Sequence, residues 1–125
     1  MPTASQEEIK RYRDGWEQRQ NSREQKQEQR RKRALEIVSG LADLLQTEFN
    51  ATNIYVFGSL TRENLPFHEH SDIDLGVSGI PHDRFYEAQG RCLEFAGDIS
   101  VDLVDLENTD DSLKNEIVER GERIL

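Results

Sequence analysis

The chain has 125 residues, 34% of them hydrophobic and 33% charged, and a formal net charge of −9. That length corresponds to one domain, large enough to bury roughly two-thirds of its unfolded surface. The charge is divided: residues 1–33 carry ten Lys and Arg against six Asp and Glu, net +4, whereas residues 34–125 carry six against nineteen, net −13. A body this acidic excludes non-specific DNA or RNA binding, which needs clustered positive charge, and suits a protein that holds cations.

Residues 5–33 are dominated by Glu, Gln, Arg and Lys, and read as a solvated helical extension distinct from a domain at 34–125. Ile9, Tyr12 and Trp16 are its large apolar residues and fall on one helical stripe. From Glu17 to Arg33 no apolar side chain follows, so this stretch can be helical through i,i+4 pairs but cannot bury itself. The stripe is therefore a candidate docking surface for a partner chain. Leu35, Val38, Leu41, Ala42, Leu45 and Phe49 then recur at helical spacing, which predicts an amphipathic helix over 34–49. Ile54-Tyr55-Val56-Phe57, ended by Gly58, reads as a buried strand. Residues 64–70 read as loop. Ile73, Leu75 and Val77 alternate with Asp72, Asp74 and Gly76, the period of a second strand. Pro81 opens a helix near 82–95 with Phe85, Ala88, Cys92 and Leu93 inward, and Val101 to Leu106 is a third strand. Asp110-Asp111-Ser112 caps a last helix carrying Leu113, Ile117 and Val118 and stopped by Gly121. The order implies a small mixed α/β (α+β) sandwich. One cysteine excludes an internal disulfide and a Cys-cluster zinc site. With no apolar run near ~18 residues and no leader pattern, the expected compartment is the cytoplasm, with no membrane association.

Three features bear on chemistry. Gly58-Ser59 follows a strand directly, where glycine permits close backbone approach to a ligand and Ser59 adds a hydroxyl. Arg62, three residues on, has the planar fork suited to phosphate oxygens. Asp72 and Asp74 stand two apart on one strand face, where like charges repel unless water or a cation lies between them; hard oxygen donors favour Mg²⁺. An EF-hand does not fit, since Val77 stands where its loop requires glycine. Asp102 lies between Val101 and Leu103, and completes a triangle with the other two if strands two and three are neighbours. Asp105, out of phase, faces the other way. Each feature alone has an ordinary reading as turn or solvated strand face.

Taken together, Gly58-Ser59, a gap of twelve residues before Asp72, the string Ser71-Asp72-Ile73-Asp74-Leu75-Gly76-Val77 and Val101-Asp102-Leu103-Val104 resemble the minimal nucleotidyltransferases, the smallest branch of the DNA polymerase β-like superfamily. The resemblance covers about residues 35–125. The gap is slightly longer than the family's, and the N-terminal extension is not part of its pattern. The resemblance implies ATP as substrate and two Mg²⁺ ions held by Asp72, Asp74 and Asp102, with Asp102 also favouring deprotonation of the acceptor hydroxyl. It implies β- and γ-phosphates held by the Gly58-Ser59 turn, with Arg62 as a further phosphate contact. Members often pair with a HEPN-domain toxin and, as antitoxins of type VII character, move AMP to a toxin tyrosine. A hetero-oligomer with such a partner is the expected assembly. Two alternatives are a nucleotidyltransferase for a small hydroxylated molecule such as an aminoglycoside, which usually carries a second domain, and an antitoxin that masks its toxin sterically. His68-Glu69-His70 lacks a third ligand nearby in sequence for zinc, Cys92 reads as core filling, and Trp16 lies far from the motifs.

Overall fold

Helix α1 spans Gln6–Phe49 and passes through residues 33 and 34 without a break. The computed structural model describes residues 6–62 and 65–125. Readings that fall on residues 1–5, 63 and 64 lie outside these. The first half of α1 is helical yet presents Ile9, Tyr12 and Trp16 to solvent at 50%, 80% and 60% exposure, as their stripe requires. In the second half Ala34, Val38, Leu41, Leu45 and Phe49 are buried, while Leu35 is half exposed, a correction to the predicted stripe. Ala34 occupies the inward position that Leu35 was expected to share. The helix stops at Asn50, whose φ of 60° breaks the ladder, a conformation asparagine tolerates better than most residues.

Strands β1 (Asn53–Phe57), β2 (Ile73–Ser78), β3 (Val101–Asp105) and β4 (Glu122–Arg123) form one sheet in the order β3-β2-β1-β4. β2 runs antiparallel to β1 and parallel to β3, the parallel step being crossed by α2 (Phe85–Ala96). β4 adds to the outer edge of β1, with Tyr55 opposite Arg123 and Val56 opposite Glu122. No periodicity predicts this fourth strand, since two residues are too few to show one. α3 (Asp111–Arg120) begins as expected at Asp110, whose Oδ1 accepts the Leu113 amide at 2.8 Å, a cap worth about 1 kcal/mol.

The alternation of each strand separates two faces. Ile54, Val56, Ile73, Leu75, Val77, Val101 and Leu103 meet α1 and α2 in the main core. Within α2, Ala88, Cys92 and Ala96 are buried, but Leu93 is 42% exposed, against expectation. Leu93 stands one residue past the inward Cys92, and helical spacing carries the inward face on to Ala96 instead. Burial lifts the Cys92 thiol to about 11, a packed and inert group rather than a nucleophile. On the opposite face Tyr55, Phe57, Val104 and Leu106 pack under Leu113 and Ile117 of α3. Gly76 lies beneath these; a Cβ there would stand 2.8 Å from Ile117 Cγ2. No helix among the described residues is long and apolar enough to cross a membrane.

Candidate active site

The strand registers decide what stands beside what. Phe57 is opposite Asp74, and Asp74 is opposite Asp102, so these three form one row across β1, β2 and β3. The next row is Tyr55, Gly76 and Val104, the row that α3 covers. The aspartates thus share a face with a small apolar core but lie beyond the helix that seals it. Neighbouring strands are about 4.8 Å apart, which puts Asp74 and Asp102 side by side. Asp72 is exposed and sits just before β2, about 6.5 Å along the chain from Asp74. The three predicted carboxylates are therefore brought together at one sheet end. Asp105 is not among them. Its Oδ2 accepts from Asn108 Nδ2 at 2.7 Å and its Oδ1 from the Glu107 amide, so it shapes the turn after β3.

Burial lifts the Asp74 carboxyl from 3.8 to about 6, with Asp102 and then Asp72 adding to the rise by repulsion. Among the described residues no Lys, Arg or His forms an ion pair with any of the three. Nor are three or more His, Cys, Asp or Glu side chains there already gathered as a ligand set. Strand register and chain direction alone set the three carboxylates at one sheet end. Three such donors around a half-buried position, one of them raised by burial and then by its neighbours, nevertheless fit a hard divalent cation, which would relieve the repulsive part of that rise.

This shift has a consequence for stability without metal. Between pH 3.8 and about 6 the folded state keeps a proton on Asp74 that the unfolded chain has lost. Stability therefore falls as pH rises through that window, and the penalty is complete above it. Asp74 is only half buried, so solvent screening limits the cost to about 1 kcal/mol. Asp74→Asn is expected to raise the melting temperature in EDTA at pH 8 and to bring little gain at pH 4. Calorimetry at both pH values checks this; an equal gain at both would show that Asp74 is not the titrating group.

Gly58 adjoins this row. Its φ is +79°, which an L side chain adopts only with strain, and a Cβ there would stand 2.5 Å from Asp74 Oδ2 and push that carboxylate aside. From Gly58 the chain enters a single 3-10 turn, Gly58–Thr61, closed by Thr61 Oγ1 donating to Gly58 O at 2.9 Å. A cleft of about 140 Å³ opens between this turn and α3, lined by Gly58, Thr61, Arg62, Glu116 and Arg120 among others. Arg62 therefore reaches the cleft, and Arg120 joins it; the sequence alone gave no reason to place Arg120 there. Ser59 is partly exposed in the turn itself.

Three further residues hold the site from behind. Gln89 of α2 donates to Val101 O at 2.6 Å and accepts the Leu103 amide at 2.9 Å. These two groups flank Asp102 on the free edge of β3, so one side-chain amide fixes the backbone that carries it. Arg31 of α1 donates to carbonyl oxygens of the segment that follows Gly58. Arg30 lies 5.7 Å from the ring centroid of the buried Phe67 and reaches Ser71 O, just before Asp72, at 3.5 Å. The loop ahead of Asp72 is thus anchored by Phe67, and by Ser71, which exchanges hydrogen bonds with His68. His68 Nδ1 accepts the His70 amide at 3.1 Å. None of these contacts follows a periodicity. A glutamine on an inward helical face was a readable hint; arginines 28 to 41 residues from their partners left none.

A family model described as Polymerase beta, Nucleotidyltransferase matches residues 39–125. No curated protein matches the chain. Among solved structures, a chain of a toxin-antitoxin complex, MntA-HpeT, is similar in two mutant forms. In the form with two aspartates two positions apart changed to glutamate, identity is 25% over 70% of each chain, with a TM-score of 0.58. In the form with a tyrosine changed to alanine, identity is 27%, again over 70% of each chain, with a TM-score of 0.56. With its row of strand aspartates, its glycine turn and this match over most of its length, the chain belongs to the polymerase beta nucleotidyltransferase family, as a minimal nucleotidyltransferase.

Proposed function

We propose that this nucleotidyltransferase is the antitoxin of a toxin-antitoxin pair. It would move AMP from ATP to a hydroxyl, that of a tyrosine, on a partner HEPN-domain toxin. The observation that carries the reading is the register Asp74 opposite Asp102, with Asp72 before them and Gly58 against Asp74. Support for a toxin partner comes from the similarity to MntA-HpeT, where the altered aspartates have the spacing of Asp72 and Asp74.

Asp72, Asp74 and Asp102 would hold two Mg²⁺ ions. When bound, such ions supply charge stabilisation to the attacking and leaving oxygens of an in-line displacement. The chain's own groups account for the remainder. The Gly58-Ser59 turn binds the β- and γ-phosphates, and Arg62 contributes its guanidinium in the adjoining cleft. Asp102 favours removal of the acceptor's proton. The acceptor oxygen forms a bond to the α-phosphorus, the bond to the bridging oxygen of the β-phosphate breaks, and pyrophosphate leaves. Gln89 and the core-facing Val101 and Leu103 keep Asp102 in place as charge shifts.

Incubating the toxin with this protein, ATP and Mg²⁺ is expected to add one or more AMP units to a toxin tyrosine, read by mass spectrometry. Neutralised toxin with no added nucleotide would overturn the reading in favour of a steric mask. One feature favours that rival enough to keep it in view: the exposed stripe Ile9, Tyr12 and Trp16, which lies on the half of α1 away from the body.

A further inference from the structure

Arg31 stands 28 residues before Ser59 in sequence, outside the span that the family model matches, yet it touches four backbone carbonyls of one short segment. Its Nη1 donates to Ser59 O at 3.4 Å and Leu60 O at 2.9 Å. Its Nη2 donates to Arg62 O at 3.2 Å and to Leu65 O. Two of these oxygens already accept within the segment, Ser59 O from the Arg62 amide and Arg62 O from the Leu65 amide. The guanidinium therefore gathers the carbonyls of Ser59, Leu60, Arg62 and Leu65 toward α1.

We propose that Arg31 is a positioning residue of the nucleotidyltransferase site, so that the basic end of the N-terminal extension is part of the catalytic unit. The proposal rests on the reading that the Gly58-Ser59 turn holds the nucleotide's phosphates. Its physical basis is peptide planarity. In a trans peptide the C=O and N–H vectors point in opposite directions. Holding Ser59 O and Leu60 O toward α1 turns the amides of Leu60 and Thr61 away from it. A short 3-10 turn has poor hydrogen-bond geometry of its own and is seldom rigid alone. Five donors in a planar fork match several carbonyls at once, and a lysine's compact ammonium does not. Arg30 is a weaker companion: its contact to Ser71 O is long, and its Nε is buried with no hydrogen-bond partner among the described residues.

The test compares Arg31→Ala and Arg31→Lys with the full chain and with a protein lacking residues 1–20, which keeps Arg31. Two readouts are taken: amide exchange by mass spectrometry, and KM and kcat for ATP in transfer. Both substitutions are expected to speed exchange across 59–65, above all at the Arg62 and Leu65 amides, and to leave β2 and β3 as protected as before. The KM for ATP should rise by about 10²-fold, the loss a displacement of about 1 Å produces, with a smaller change in kcat. Added guanidinium ion should restore part of the loss in Arg31→Ala. Unchanged exchange at 59–65 overturns the proposal, whatever the enzyme does with ATP. Exchange that rises equally in β2 and β3 overturns it too, since Arg31 would then be structural; the lysine variant secures this arm if alanine prevents folding. If the full chain transfers no nucleotide while exchange rises only at 59–65, the clamp stands and the phosphate reading falls.

Discussion

Asp72→Asn/Asp74→Asn is expected to abolish Mg²⁺-dependent ATP binding and to lower transfer by at least about 10³-fold, because two of the three charges that would face the metal are lost from one strand end. The fold should survive. Ile73, Leu75 and Val77 on the opposite face are fully buried and untouched. The Asp74 half of the change also removes a carboxyl held near 6 by burial and by its two neighbours, so the variant should melt no lower than the parent in EDTA at neutral pH. Asp102→Asn separates the roles further. If Asp102 promotes deprotonation of the acceptor, transfer should drop by ~10²–10⁴-fold, the contribution typical of a positioned general base. ATP binding should suffer less, since two carboxylates remain. Calorimetry with and without EDTA, alongside single-turnover rates, measures both. ATP affinity that is unchanged without metal, in protein shown to be folded, would remove the metal from the scheme. Near-normal transfer by Asp102→Asn would remove Asp102 from it.

The parts of this site that were legible in the sequence are those that follow from period. Alternation in Ile73 to Val77 and in Val101 to Leu103 put the aspartates opposite the buried face, and Gly58 after an apolar run marked a strand end. Whether Asp74 and Asp102 meet depended on strand order, which alternation alone does not give; the parallel β2-β3 pair supplied it. What stayed hidden is the support. Arg30 and Arg31 act on backbone groups far along the chain, and a side chain that bonds a remote carbonyl obeys no local rule; Gln89, on an inward helical face, hinted at a role but not at its partner. In a run of Glu, Gln, Arg and Lys, the arginines that touch the body, Arg30, Arg31 and Arg33, look like those that touch water. Leu35 and Leu93 erred for a related reason: each lies one residue from a buried neighbour, and either could have been the inward one. β4 was invisible because its two residues are defined by pairing with Tyr55 and Val56, not by their own pattern.

Removing residues 1–20 is expected to leave nucleotide chemistry intact and to weaken partner binding by about 10²-fold or more, because a few large apolar anchors often carry most of a contact's energy. Ile9, Tyr12 and Trp16 go with this segment, whereas Arg30, Arg31 and Arg33 stay. The remaining helix keeps its attachments, among them Arg33 to Asp98 at 2.7 Å and the buried run from Ala34 to Phe49. On the proposed reading the extension would divide along its length, with docking at the exposed end and site support at the basic end. The same truncation distinguishes the enzyme from the mask. An enzyme modifies its partner catalytically, so loss of affinity slows neutralisation, and high protein concentration with ATP and Mg²⁺ recovers it. A mask works only while bound, and its effect falls in proportion to occupancy with or without ATP. Titrating the truncated protein against toxin activity, with mass spectrometry of the toxin at each point, reads both. Recovery accompanied by AMP on the toxin supports the transferase. Neutralisation that tracks occupancy, with no adduct and with full activity retained by Asp72→Asn/Asp74→Asn, would make the site incidental to neutralisation.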